Sequence, residues 1–314
     1  TRELAIQVAK EIGLLCDGTD LRVASVYGGA GYGPQVKAVR GASIIVATPG
    51  RLEDLLERRD MSLSAVTIAV LDEADRMSDM GFLPAVRRLL RALPKQRQVL
   101  LFSATLDGDI SQVVKEFQRD PKRHESQTDA DEPDIEHKFW MVSRNDRVET
   151  IAQLVNNYER IILFCRTKHG CDRLAKQLDN SGVRSSIIHG NKSQAQRERS
   201  LEEFRRGRSN VLVATDVAAR GIHIDDVPCV VHFDPPADHK DYIHRSGRTG
   251  RAGSKGVVIS MVESSQKRTV NKLARDAGVE ADFVAPDFEP SLDEITARPG
   301  ALGGVLLTVG ASAE

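Results

Sequence analysis

The sequence predicts an α/β protein made of two parallel-sheet domains, on three observations. Short apolar runs alternate with segments of helical period along most of the chain. Polar and glycine-rich clusters follow those runs directly, where parallel sheets place their functional groups. The alternation lapses once, between Arg119 and His137, and then restarts; 314 residues are enough for about two buried cores.

In the first half, Leu4, Ile6, Val8, Ala9 and Ile12 fit a helix, and Leu21 to Tyr27 reads as a strand. Gly28-Gly29-Ala30-Gly31-Tyr32-Gly33 follows it and would let a phosphate approach the backbone, although a plain turn explains the run as well. It is not a G-x-x-x-x-G-K-S/T loop, since no Lys-Ser or Lys-Thr pair follows the last glycine. Ser43 to Ala47 is the next strand. Thr48-Pro49-Gly50-Arg51 then opens a helix marked by Leu52, Leu55 and Leu56, with Thr48 placed to cap it; a phosphate seat and an ordinary capped start both fit. The strand Thr67 to Leu71 delivers Asp72, Glu73 and Asp75. Asp72 suits an anchor for hydrated Mg²⁺ and Glu73 a group acting on an attacking water, while a solvated acidic loop is the alternative. A helix marked by Val86, Leu89, Leu90 and Leu93 precedes the strand Gln98 to Phe102. Ser103-Ala104-Thr105 after it is either a turn or a hydrogen-bonding bridge to Asp75.

The polar run at 123–136 is the expected linker, separating a first domain at 1–122 from a second at 137–285. In the second, strands are expected at Phe139 to Val142, Ile161 to Cys165, Ser185 to Ile188 and Val211 to Ala214, with helices between them. Polar groups again follow the strands: Arg166-Thr167-Lys168, His189-Gly190, and Thr215 through Arg220 and Gly221. His244-Arg245-Ser246-Gly247-Arg248-Thr249-Gly250-Arg251 would suit a polyphosphate, with glycines bringing guanidinium forks close to it. Residues 286–314 are expected to form a loose tail.

Lys and Arg total 44 against 45 for Asp and Glu, so a bulk basic nucleic-acid binder is excluded and any such partner must be held locally. The cysteines Cys16, Cys165, Cys171 and Cys229 lack metal-ligand spacing and read as reduced thiols of a cytosolic protein. No apolar run is long enough to span a membrane.

Taken together, these residues resemble the DEAD-box ATP-dependent RNA helicases, of bacterial type. The resemblance covers Thr1 to about Ala285, in family order: TRELAIQ, Gly28-Gly29, Thr48 to Arg51, the tetrapeptide Asp72-Glu73-Ala74-Asp75, Ser103 to Thr105, ILFCRTK from Ile162, the Gln196-Arg197 helix, VATDVAARG from Val213 and HRSGRTGR from His244. It implies two RecA-like domains that close over ATP and RNA. Asp72 would hold Mg²⁺ through water and Glu73 would act on the water. Asp75 would connect through Ser103 and Thr105 to the motif around His244, and Arg248 and Arg251 would be arginine fingers at the γ-phosphate. Gly221 would lie at the nucleotide. RNA contacts would fall to Arg2, Gly29, Thr48, Gly50 and Arg51 in the first domain and to Thr167, Thr215 and Arg220 in the second, mostly on phosphate and sugar.

The family's phosphate-binding loop, with its Lys, precedes the TRELA motif. The first domain is therefore expected to be incomplete at its N-terminus, and this chain to lack ATPase activity by itself. His223 stands where the family usually carries Asp, at a position implied to reach the ATP ribose. A non-hydrolysing RNA-binding or annealing module is the alternative reading, and a DNA-directed motor a more remote one.

Overall fold

Parallel pairing governs both halves of the chain. The computed structural model describes residues 1–103, 105–106, 108–124, 134–219, 224, 227–250 and 254–288. The chain divides into two units, one taking 1–132, 190–198 and 217–223 and the other the remaining residues.

The first unit runs α1 (Arg2–Leu15), β1 (Val23–Val26), α2 (Tyr32–Val39), β2 (Ile44–Ala47), α3 (Pro49–Glu57), β3 (Ile68–Leu71), α4 (Ala74–Asp79), α5 (Leu83–Arg91), β4 (Gln98–Leu101) and α6 (Gly108–Phe117). The Thr1 hydroxyl caps α1 by accepting from the Leu4 N–H at 3.3 Å. β1 pairs with β2 from Val23 opposite Ile44 to Val26 opposite Ala47. β3 pairs with β4 from Ile68 opposite Gln98 to Leu71 opposite Leu101.

The sequence led us to expect a single sheet here; the described residues form two separate two-stranded ladders. Each has its own core. Ala24, Val26, Val39 and Leu55 pack at the first, and Ala74, Leu83, Val86, Leu90, Ile110 and Val113 at the second. Arg88 of α5 forks onto Glu53 of α3 at 2.7 and 3.1 Å, tying the two together at the surface. One face of the β3–β4 ladder stays bare: Ile68, Val70 and Phe102 are each more than half exposed, and Leu100 is also exposed.

The second unit contains β5 (Ile135–Met141), α7 (Arg147–Leu154), β6 (Ile161–Phe164), α8 (Lys168–Asn180), β7 (Ser185–Ile188), most of α9 (Gln194–Arg205), β8 (Val211–Ala214), β9 (Cys229–His232), α11 (His239–Ser246), β10 (Gly256–Val262), α12 (Lys267–Asp276) and β11 (Phe283–Val284). A short α10 (Asp216–Ala219) follows β8; only its first residue belongs to this unit. Seven strands form one sheet in the order β11-β5-β10-β9-β6-β8-β7, every neighbouring pair parallel. β6, β8, β9 and β10 are buried at every position. A parallel strand covered on both faces needs this continuous apolar sequence instead of alternation.

Two boundaries differ from expectation. β5 begins at Ile135, four residues before Phe139, so Ile135 and Glu136 belong to the sheet and not to the expected linker. The expected tail is anchored at its start: Phe288 packs edge-on against Trp140 at 5.4 Å, and its carbonyl accepts a hydrogen bond from the Asn157 amide. The rest of the linker and tail, 125–133 and 289–314, lie outside the described residues.

A buried polar cluster lies at the core of this unit. The Tyr242 hydroxyl meets His137 Nδ1 at 2.8 Å, the Tyr242 and His232 rings meet edge to face at 4.8 Å, and Ser260 Oγ lies 3.2 Å from His232 Nδ1. Burial, reinforced by Arg245 and His137, holds His232 well below the ordinary imidazole pKa, and burial also lowers His137. Both imidazoles are therefore neutral in the fold at pH values where the unfolded chain would protonate them. Their contribution to stability is complete above about pH 6.5 and is lost as pH falls below it, at up to about 1.4 kcal/mol per pH unit per histidine. Urea unfolding followed by the fluorescence of Trp140, the chain's one tryptophan, is expected to show a falling midpoint on acidification. His232→Gln should flatten that dependence, and an unchanged slope in the variant would contradict the assignment.

Candidate functional site

The first cluster forms where β1 and β2 end side by side. β1 leads into Gly28-Gly29, and β2 leads into Thr48-Pro49-Gly50-Arg51 at the start of α3. Gly29 has φ +84°, a turn geometry that favours glycine, and the Arg2 guanidinium lies against it, with Nη1 2.5 Å from where a Cβ would stand. The Thr48 N–H donates to the Val26 carbonyl at 2.8 Å, and its side chain makes no cap bond. A Cβ on Gly50 would meet no atom within 4 Å, so the α3 entrance is open.

Arg51 is different. It is only 8% exposed, donates from Nη1 to the Ala30 carbonyl at 2.9 Å and lies 4.1 Å from the centre of the Tyr32 ring. The structure thus brings Arg2, Gly29, Thr48, Gly50 and Arg51 together, with Arg51 engaged in holding the glycine turn against α3.

The second cluster sits at the ends of β3 and β4. Asp72 is exposed, and its Oδ1 accepts from the Glu73 N–H at 2.9 Å. Glu73 adopts a left-handed conformation (φ 51°, ψ 49°) that turns the strand sharply into α4, a costly geometry for a residue with a Cβ. Its carboxylate accepts from Arg76 Nη1 at 2.9 and 2.8 Å. Ser103 Oγ accepts from the Asp75 N–H at 3.2 Å and donates to the Thr105 carbonyl at 2.5 Å. The bridge between the two strand ends therefore uses main-chain atoms of Asp75 and Thr105, not their side chains. An exposed carboxylate with room for water matches what Mg²⁺ asks of a protein, one or two carboxylates with the remaining positions left to water and phosphate. No cluster of three or more acidic, His or Cys side chains suited to direct metal binding occurs among the described residues.

In the second unit, β6 ends at Phe164 and leads to Thr167, whose hydroxyl caps α8 by accepting from the Gly170 N–H at 3.0 Å. The adjacent β8 ends at Thr215, whose N–H donates to the Ile188 carbonyl at 3.3 Å. Asp216 follows. Arg245 of α11, only 2% exposed, forks onto the Asp216 carboxylate at 2.6 and 2.8 Å and donates to the Asp234 carbonyl at 2.7 Å. The sequence names Arg245 within a run suited to a polyphosphate and Asp216 within the run after β8, but does not show that the two pair. The available signal was helical spacing, since Asp241, Tyr242, Arg245 and Ser246 form the inward face of α11. Arg147 was missed too: it lies 3.9 Å from the centre of the Phe233 ring, between Asp234 and Glu263.

Arg248 is 5% exposed and donates from Nε to the His244 carbonyl at 3.4 Å. Two glycines near it have structural causes of their own. Gly247 closes α11, where a Cβ would stand 3.3 Å from the Ile243 carbonyl. Gly250 has φ +66°, and a Cβ there would stand 2.5 Å from Ile135. Arg220, Gly221, His223 and Arg251 lie outside the described residues.

Two family descriptions match the chain, "DEAD/DEAH box helicase" over residues 1–113 and "Helicase conserved C-terminal domain" over residues 146–253. The ATP-dependent RNA helicase RhlB of Shewanella sp. (strain W3-18-1) is 42% identical over 305 residues, covering 95% of this chain and 69% of that protein. The chain belongs to the DEAD-box ATP-dependent RNA helicases. DEAD-box ATP-dependent RNA helicase 30 of Arabidopsis thaliana is 38% identical over 97% of this chain, which spans 52% of that relative's length. Among solved structures, S. cerevisiae Dbp5 bound to RNA and ADP BeF3 matches with a TM-score of 0.79 and 33% identity, covering 91% of this chain and 75% of that one. The DEAD-box chain thus carries two RecA-like α/β domains. No helix among its described residues is long and apolar enough to cross a membrane.

Proposed function

We propose that this chain is part of a cytoplasmic enzyme that couples ATP hydrolysis to separation of short RNA duplexes or remodelling of RNA–protein complexes. The observation that carries the reading is the Asp72-Glu73 pair at the end of β3, with Ser103 of the neighbouring strand hydrogen-bonded beside it. Glu73 would orient the attacking water and take its proton, once its carboxylate is shared with or released from Arg76. Asp72 would hold Mg²⁺ through water, and the ion when bound neutralises polyphosphate charge. Arg248 and Arg251 would supply charge to the γ-phosphate. Gly221 would lie at the nucleotide.

RNA would lie along Arg2, Gly29, Thr48 and Gly50, with Arg51 fixing the glycine turn, and along Thr167, Thr215 and Arg220 in the second domain. Contacts of this kind address phosphate and sugar, so binding would be largely independent of sequence. Single strands and short duplexes are the expected substrates.

The 314 residues contain no G-x-x-x-x-G-K-S/T run. This favours a second reading for the chain by itself, as a non-hydrolysing RNA-binding module. Phosphoryl transfer depends on positioning, and without a loop cradling the β and γ phosphates the nucleotide has no fixed place. Phosphate-release assays with and without single-stranded RNA are expected to detect no RNA-stimulated turnover, while RNA binding persists and weakens with salt. Mg²⁺-dependent, RNA-stimulated turnover by this chain would refute that second reading. Failure of the chain to bind RNA at low salt would refute the RNA assignment.

A further inference from the structure

A cleft of about 540 Å³ opens in the first unit between α2 and the loop after α3, lined in part by Tyr32, Lys37, Arg40, Arg58 and Asp60. None of these residues belongs to the sites assigned above. Its charge is unbalanced, with Lys37, Arg40 and Arg58 facing a single lining carboxylate, Asp60. Asp60 is itself engaged, accepting from Arg58 Nε at 2.8 Å. The other Arg58 donors have no partner among the described residues, and neither do the Lys37 ammonium and the Arg40 guanidinium.

The wall of the cleft is also stiffened. The Tyr32 ring has the Arg51 guanidinium 4.1 Å and the Arg58 guanidinium 4.4 Å from its centre, and its hydroxyl bonds Asp54 at 3.1 Å. Held by a ring and a carboxylate, Arg58 gives up little side-chain freedom on meeting an anion, unlike an unrestrained surface arginine.

Position suggests what the anion is. Tyr32 opens α2 only three residues after Gly29, at most about 11 Å of chain. Arg51, the last residue of the Thr48-to-Arg51 turn, touches the same ring. A nucleic-acid strand lying on Gly29 and Thr48 would reach the cleft within a few nucleotides.

We propose that the cleft of Lys37, Arg40 and Arg58 is a second phosphate-binding subsite, holding the sugar–phosphate backbone of the RNA strand beyond the nucleotides seated at Gly29 and Thr48. The proposal rests on the RNA reading given above. The subsite adds length-dependent affinity without sequence preference, because its donors are guanidinium and ammonium groups directed to phosphate.

The test is fluorescence-anisotropy titration of the full chain and of a Lys37→Ala/Arg40→Ala variant with labelled single-stranded RNAs of about six and about twelve nucleotides, lengths within the range of single-strand binding sites. Both side chains are exposed, so the variant should keep its fold, which urea unfolding followed by far-UV circular dichroism, a signal both units contribute to, checks. The variant is expected to bind the longer RNA about tenfold more weakly, with a log–log salt slope shallower by about 1.4, the release expected for two phosphates of a single strand. Its affinity for the shorter RNA should be unchanged. Equal loss on both lengths would overturn the subsite in favour of a general charge effect, and an unchanged affinity and slope on the longer RNA would overturn it outright. If the unsubstituted chain bound neither RNA but retained an acidic peptide such as polyglutamate, the RNA reading would fall, and this subsite with it.

Discussion

Replacing Arg245 with methionine is expected to destabilise the second unit by about 3 kcal/mol, the low end of the cost of breaking a buried ion pair. Arg245 joins three elements: it forks onto Asp216 at the start of α10, donates to the Asp234 carbonyl after β9, and lies 5.2 Å from the centre of the Phe164 ring at the end of β6. Methionine fills part of the volume but leaves the carboxylate and the carbonyl without their donors. Because the Asp216 side chain keeps 21% of its exposure, water recovers part of the loss, which is why the low end applies. Urea unfolding monitored through Trp140 would measure it, and a change below about 0.5 kcal/mol, the range of an ordinary surface substitution, would show that the pair contributes little. Arg245→Lys should fall between, since an ammonium keeps the charge and loses the planar fork.

In any form of this protein that hydrolyses ATP, Glu73→Gln is expected to lower steady-state turnover by at least about 10²-fold, the lower range for losing a general base. ATP and RNA affinity should change little, because glutamine preserves size and hydrogen bonding. The left-handed backbone at Glu73 is unaffected by the exchange, as neither side chain relieves its strain. The substitution does remove the ion pair with Arg76, so Arg76→Ala is the necessary companion. It should alter turnover far less, since it frees the carboxylate without deleting it. Phosphate release from Glu73→Gln at a rate close to the unsubstituted protein would refute the role given to Glu73.

Much of this architecture is legible in the sequence because it is written in local periods. β6 and β8 stand out as continuous apolar runs, and the acid cluster after β3 is visible as a strand end. The runs of β9 and β10 carry the same signal, although the sequence reading stopped its strands at Ala214; glycine- and arginine-rich loops around β10 draw attention from it. Pairing partners are another matter. Nothing local states that β2 and β3 belong to different ladders, since that depends on hydrogen bonds across long sequence separations.

The site residues divide in the same way. Residue type and spacing pointed to Arg51 and Arg248, but their burial follows from what lies opposite them. Gly250 cannot be explained until Ile135 is known to stand against it.

The two-stranded ladders of the first unit also bear on how evenly the molecule resists opening. Among the described residues each of β1 to β4 has one edge without a ladder neighbour, and β3 and β4 also leave an apolar face bare, whereas β6, β8, β9 and β10 are flanked on both sides within one seven-stranded sheet. Short, half-covered pairs open at low free energy, while doubly flanked buried strands open only when the whole unit does. The acid pair, with its strained Glu73, is therefore mounted on the more yielding scaffold, and the buried Arg245–Asp216 fork on the stiffer one. Backbone amide protons around Asp72 would then trade with solvent deuterium through frequent local breathing, on a far shorter clock than those flanking Asp216.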